Sequence, residues 1–137
     1  MSTYPANRKI SDPVINPGDA PYFAAAERSA LAIKHCRACG QAHHYPRSFC
    51  PFCRSDEVDW VDAKGTGEIY AFSVTRRGTG APYCVAYVKL HEGPTMLTNI
   101  VDTDLDALKI GQAVRVVFAK SEGGTAIPMF TSEGSAK

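Results

Sequence analysis

Four of the five cysteines fall into two pairs, Cys36-Arg-Ala-Cys39 and Cys50-Pro-Phe-Cys53, separated by ten residues. Two thiolates three positions apart can grip a metal from one tight turn, and a second such turn completes the tetrahedron that zinc accepts with sulfur ligands. Gly40, just after the first pair, permits the backbone dihedrals of that turn, and Pro51 stiffens the second. The pattern therefore predicts one zinc ion on Cys36, Cys39, Cys50 and Cys53 in a closed, structural site. Two disulfides, a redox pair and an iron centre of the same ligand set fit the residues less well. Four thiolates leave no open position for water, which argues against a catalytic metal. His43 and His44 are expected on the ribbon surface. Cys84 lies in a strand-like run, Pro82-Tyr-Cys-Val-Ala-Tyr-Val, and reads as a small buried residue.

Around this anchor the texture is mostly β. Residues 1–18 are extended, with Pro5, Pro13 and Pro17. Asp19 offers a cap to a short helix over roughly 20–29, with Tyr22, Phe23 and Ala26 on its apolar face. Residues 31–33 lead into the first cysteine turn, and Val58–Asp62 leads out of the second with apolar-polar alternation. Strands are then expected over 68–75, 83–90, 95–101, 114–118 and 126–131, with one or two helical turns over 102–109. Pro128 suggests that the last strand lies at an edge. Five strands with a short helix between the third and fourth is the layout of an OB-fold barrel. The expected organisation is an arm and helix over 1–30, a zinc ribbon over 31–63, the barrel over 64–131 and a tail over 132–137.

Composition narrows the function classes. A net charge of +1 rules out a chain that binds polyanions by bulk charge. Its distribution is uneven, because 28–55 holds Arg28, Lys34, Arg37, Arg47 and Arg54 and no acidic residue. A zinc tetrathiolate carries two negative charges, so five cations exceed what it needs and leave some for phosphate or an acidic partner. No apolar run approaches the ~20 residues of a membrane span, and Met1–Ile10 lacks the apolar core of a secretory signal. A cytoplasmic protein is expected.

The chain resembles a family of small proteins with a rubredoxin-like zinc ribbon and an OB-fold, long catalogued as a domain of unknown function. The matching residues are Pro21-Tyr-Phe23, Cys36-Arg-Ala-Cys39-Gly40, Tyr45-Pro46-Arg47, Cys50-Pro-Phe-Cys53 and Val58-Asp-Trp60. They continue with Gly65-Thr-Gly67-Glu68-Ile69-Tyr70, Leu108-Lys-Ile-Gly111-Gln-Ala-Val114 and Pro128-Met-Phe130. The resemblance implies an accessory subunit with no reaction of its own. Such proteins associate with thiolases, hydroxymethylglutaryl-CoA synthase, side-chain aldolases or acyltransferases of thiolase fold, and contribute to holding coenzyme A. A hetero-oligomer follows as the expectation, with the helix around Tyr22 and Phe23 among the docking elements.

For the coenzyme, Arg76-Arg77-Gly78-Thr79-Gly80 follows the first barrel strand as two cations and a glycine-rich loop. OB-folds commonly bind ligands through that loop, and arginine forks suit phosphate. A polar hairpin with solvated arginines fits the same residues, and Lys89 offers a competing phosphate site. The other reading is a single-stranded nucleic-acid module, which would need a basic groove with stacking aromatics. Tyr70, Phe72, Tyr83 and Tyr87 are the candidates, and strand alternation is expected to turn many of them inward.

Overall fold

A computed structural model describes residues 10–76 and 82–133. The helix α1 spans Ala20–Glu27, and three short strands follow: β1 (Ala32–Cys36), β2 (Ala42–His43) and β3 (Val58–Asp62). These form an antiparallel sheet in the order β2-β1-β3. Five longer strands follow: β4 (Thr66–Thr75), β5 (Tyr83–Leu90), β6 (Thr95–Ile100), β7 (Ala113–Lys120) and β8 (Ala126–Ser132). They close into a barrel ordered β4-β5-β6-β8-β7, which is the OB-fold expected from element order. Among the described residues, no helix is long and apolar enough to cross a membrane.

Closure depends on the first half of β4, which pairs with β5 on one side and β7 on the other. Gly67 sits in this doubly paired stretch, facing Leu90 and Val114. A Cβ there would fall on the Lys89 carbonyl oxygen and lie 2.9 Å from Val88 Cγ1. The barrel core gathers Ile69, Ala86, Val88, Met96, Ile100, Val114 and Phe130, with Leu105 of a 3-10 turn (Leu105–Ala107) joining it. Leu31 and Ile33, beside and on β1, belong to the same cluster, so ribbon and barrel share one core.

Several local expectations change. The helix stops at Glu27 rather than Ser29, because Ser29 turns left-handed (φ 61°). Its N–H donates to the Ala26 carbonyl, and the Ala30 N–H donates to that of Ala25, both at 2.9 Å. This is a Schellman stop made without glycine. Asp19 precedes the helix but its carboxylate does not cap it. It accepts instead from the Asn16 N–H at 3.2 Å. Strand β8 is no edge strand, since it lies between β6 and β7. Pro128 is tolerated there because its nitrogen faces the β6 side. Ladder pairing with β6 is confined to Ile100 and Phe130, so no bond is lost.

The aromatic residues of the barrel also differ. The β4–β5 register shifts between Ile69 and Ala71, leaving Tyr70 as an extra residue. Ile69, Phe72 and Val74 then face the core, and Tyr70 is pushed out to 64% exposure. Tyr87 falls between the inward Ala86 and Val88 and is 48% exposed, while Phe72 and Tyr83 are half-buried.

Candidate functional site

The two cysteine turns have the same backbone. The Cys36 N–H donates to Gln41 O at 2.9 Å and the Cys50 N–H to Ser55 O at 2.8 Å, while Gly40 N–H and Arg54 N–H return to Cys36 O and Cys50 O at 2.9 Å each. Both turns place the residue after the second cysteine in the left-handed region, Gly40 at φ 78° and Arg54 at φ 69°. Each turn also aims a backbone N–H at its first sulfur. Cys39 N–H lies 3.5 Å from Cys36 Sγ, and Phe52 N–H lies 3.3 Å from Cys50 Sγ.

The turns face each other so that all four sulfurs lie within 4.8 Å of one another. Across the pair, Cys36 Sγ is 3.6 Å from Cys53 Sγ and Cys39 Sγ is 3.7 Å from Cys50 Sγ. A tetrahedron with zinc–sulfur bonds of about 2.3 Å has edges of about 3.8 Å, so the sulfur spacing fits the ion. No other cluster of metal-binding side chains occurs among the described residues. Cys36 and Cys50 are fully buried, and Cys39 and Cys53 are exposed. Four thiols this close cannot all ionise unaided. Burial opposes ionisation of Cys50, but the N–H groups of Cys53 and Phe52 and the neighbouring thiols bring it down to about 7. The Ser55 N–H favours the Cys53 thiolate, yet burial and the other three thiols push this group up to about 12. A dication removes that conflict, and these residues are placed to hold one.

The histidines beside the site lie inside rather than on the surface. His43 is 3% exposed, and neither ring nitrogen has a hydrogen-bond partner. His44 lies in an aromatic group with Tyr22 and Tyr45, at 5.8 and 5.6 Å between ring centroids, and burial pushes its pKa down to about 4. Strand β3 and its approach neutralise two of the five cations of the basic window. Arg28 pairs with Asp62 at 3.3 Å, and Arg37 pairs with Asp59 at 2.7 Å and Glu57 at 3.8 Å.

Of the residues considered for coenzyme A, Arg76 and Lys89 lie at opposite ends of the β4–β5 ladder. Arg76 pairs with Asp106 at 2.5 Å, which joins the end of β4 to the 3-10 turn. Arg77 and the glycines after it lie outside the described residues. Lys89 stands opposite Glu68 near the start of β4, roughly 25 Å of strand away from Arg76. Its surroundings include Glu68 and Glu133. Cys84 is fully buried between Val74 and Ile100, and burial pushes its thiol up, so it behaves as a core side chain. Tyr22 packs against the barrel core, with Phe23 edge-on to it at 5.2 Å.

Sequence reasoning did not foresee the exposed apolar band that crosses the barrel at Tyr87 and Leu97. These are cross-strand partners on β5 and β6 and are exposed at 48% and 55%. Beside them, Ala71 and Val85 line an apolar slot of about 220 Å³. The position of the bulge at Tyr70 decides which residues reach this face, and a single strand does not reveal it.

Comparison with known proteins agrees with this architecture. A family model described as the rubredoxin-like zinc ribbon domain of ChsH2 matches residues 23–59, and one described as the C-terminal OB-fold domain of ChsH2 matches 60–119. A probable enoyl-CoA hydratase alpha subunit of Thermomonospora curvata is 35% identical over 122 residues, covering 86% of this chain; the chain spans 38% of that protein's length. A DUF35 domain-containing scaffold protein of Methanothermobacter thermautotrophicus is 36% identical over 100 residues, covering 69% of this chain and 75% of the relative. Among solved structures, a chain of an Ltp2-ChsH2(DUF35) aldolase superposes with a TM-score of 0.79 at 34% identity, covering 88% of this chain and 98% of that one. A DUF35 protein of unknown function from Sulfolobus solfataricus shares the fold at a TM-score of 0.64 and 12% identity, with 86% and 87% covered. The chain belongs to the DUF35 family of ChsH2-like proteins, in which a rubredoxin-like zinc ribbon precedes an OB-fold.

Proposed function

We propose that this chain is a non-catalytic accessory subunit of a thiolase-fold enzyme, of thiolase, acyltransferase or aldolase type, and that it helps to bind or channel acyl-CoA. Cys36, Cys39, Cys50 and Cys53 ligate one zinc ion. The metal locks the two turns together and supplies no chemistry of its own, since four thiolates complete its coordination. The observation that carries the reading is the likeness to a chain of an Ltp2-ChsH2(DUF35) aldolase, which extends over 98% of that chain at 34% identity. The subunit name of the Thermomonospora curvata relative supports it. So does the outer face of the barrel, where Tyr87 and Leu97 expose adjoining apolar side chains of the kind that mark interaction surfaces.

The test is purification of the tagged chain from its own cells under native conditions, followed by identification of whatever copurifies. A stoichiometric thiolase-fold protein whose acyl-CoA turnover depends on the chain is the expected result. A strictly monomeric chain with no such partner refutes the reading. One observation favours the nucleic-acid alternative, namely the exposure of Tyr70 and Tyr87 on the barrel, where bases could stack. Affinity for single-stranded DNA that falls steeply with salt would support it.

A further inference from the structure

We propose that the cleft between the 16–21 segment and the ribbon sheet binds the phosphate-bearing end of a nucleotide-like small molecule, with Lys34 and Arg47 on phosphate and Tyr45 and Trp60 beside the base. This rests on the acyl-CoA reading and deepens it, because the nucleotide end of a coenzyme A thioester is such a group.

The register of the ribbon builds the floor. Lys34 on β1 faces His43 on β2 and Trp60 on β3, so the three side chains form one row on one face of the sheet. The 16–21 segment and Tyr45–Ser48 close over that face and leave a cleft of about 300 Å³. That volume lies at the small end of ligand sites and suits a nucleotide head rather than a whole thioester. Asp19 is the cleft's one carboxylate, and it already accepts from the Asn16 N–H.

Charge singles out the two cations. Arg28 and Arg37 are paired with carboxylates, whereas Lys34, Arg47 and Arg54 form no ion pair among the described residues, and of these three only Lys34 and Arg47 line the cleft. Lys34 rests its ammonium 4.8 Å from the centre of the Trp60 ring. The two cations also act together on a third group. After burial itself, Lys34 and Arg47 are what hold the His43 imidazole below its usual range. Arginine offers phosphate a planar fork of donors and lysine a compact charge. The Ser48 hydroxyl adds a neutral donor at the rim, and the aromatic walls suit a flat base. Neither of the other clefts described above has this combination: the one beside Lys89 contains Glu68 and Glu133, and the one beside Leu97 is apolar.

Trp60 is the only tryptophan in the chain, so its fluorescence reports on this cleft alone. The experiment titrates the zinc-loaded full chain with adenosine 3′,5′-bisphosphate, and separately with adenosine and with pyrophosphate. A saturable change is expected for the bisphosphate, with weaker binding of either part. Lys34→Gln and Arg47→Gln should each weaken it by about tenfold, the loss expected for one charge-assisted contact. Retained zinc content would show that both variants are folded. The proposal is overturned if millimolar bisphosphate leaves the emission unchanged or if both variants bind like the wild type. Tighter binding of a single-stranded oligonucleotide than of the bisphosphate also overturns it. Copurification separates the two readings. If the partner enzyme still assembles and keeps its KM for acyl-CoA with Arg47→Gln, only the cleft assignment falls. If the wild-type chain binds the bisphosphate with this mutational pattern yet captures no acyl-CoA enzyme, the accessory-subunit reading falls and the cleft stands.

Discussion

The residue after the second cysteine of each turn allows a quantitative test of how the metal site is built. Gly40 and Arg54 occupy the same left-handed position, at φ 78° and 69°, and donate the same backbone hydrogen bond at 2.9 Å. For an L side chain that conformation costs about 1–2 kcal/mol. Replacing glycine also restricts the unfolded chain, which offsets about 0.4–1 kcal/mol of the loss. A Cβ on Gly40 would meet nothing within 4 Å, so packing adds no further penalty. Gly40→Ala should therefore destabilise the ribbon by about 0.5–1 kcal/mol, the difference between those two terms. Arg54→Gly is the mirror experiment. The side chain is exposed and forms no ion pair among the described residues, so its removal costs little. Relief of the left-handed conformation should then stabilise the ribbon by about the same amount.

Because zinc binding and folding are one process in a module of this size, both changes should appear in metal affinity. Competition against a chromophoric chelator at fixed pH should give zinc held roughly twofold to fivefold more loosely by Gly40→Ala and correspondingly tighter by Arg54→Gly. Thermal unfolding at fixed free zinc should move by roughly 2–4 °C in the same directions. If Arg54→Gly loosens zinc, or Gly40→Ala leaves it unchanged, then backbone strain does not govern these turns and the equivalence drawn between them is wrong.

Cys50→Ser should abolish stoichiometric zinc by elemental analysis and open the ribbon to proteolysis, since the site would lose a fully buried sulfur. Gly67→Ala should cost about 3 kcal/mol or more in urea unfolding, because the new Cβ lands on the Lys89 carbonyl where β4 is paired on both sides; a loss below about 1 kcal/mol would contradict that close approach. Phe23→Ala should weaken assembly with the partner enzyme in a pull-down if α1 docks there, and unchanged assembly would remove the helix from the interface. Glu27 accepts from the Ala126 N–H at 3.1 Å and from Lys120 at 3.3 Å, contacts that hold its carboxyl below the usual 4.5. A depressed carboxylate contributes stability above its unfolded pKa and loses it as pH falls through the folded value. Chemical unfolding between pH 6 and pH 3 should therefore show a steeper acid loss for the wild type than for Glu27→Gln; parallel curves would count against the contact.

What the sequence makes legible follows from how far each structural cause extends along the chain. The metal ligands are local: three-residue spacing within a pair is itself the geometry of the turn, and the structure brings the four sulfurs within 4.8 Å. The barrel strands are nearly as local, because apolar residues mark each strand and glycines and short polar runs separate them. Legibility fails wherever the deciding atom belongs to another segment. Ser29 and Arg54 are a local exception: they adopt left-handed backbone without being glycine, because hydrogen bonds to Ala25, Ala26 and Cys50 within the same turns fix the chain around them. Tyr70 leaves the core because β5 offers only Val88 and Tyr87 opposite Ile69 and Ala71, a mismatch visible only in the pairing of the two strands. The five cations of 28–55 look like one basic face, yet Glu57, Asp59 and Asp62 from just beyond the window neutralise Arg28 and Arg37. Lys34 and Arg47 then line the cleft beside Trp60, Lys34 placed there by sheet register and Arg47 by the segment that follows β2. Arg54 stays exposed outside the cleft with no ion pair among the described residues, so pairing thins the positive charge of the ribbon and leaves two cations together in one place where a ligand meets both.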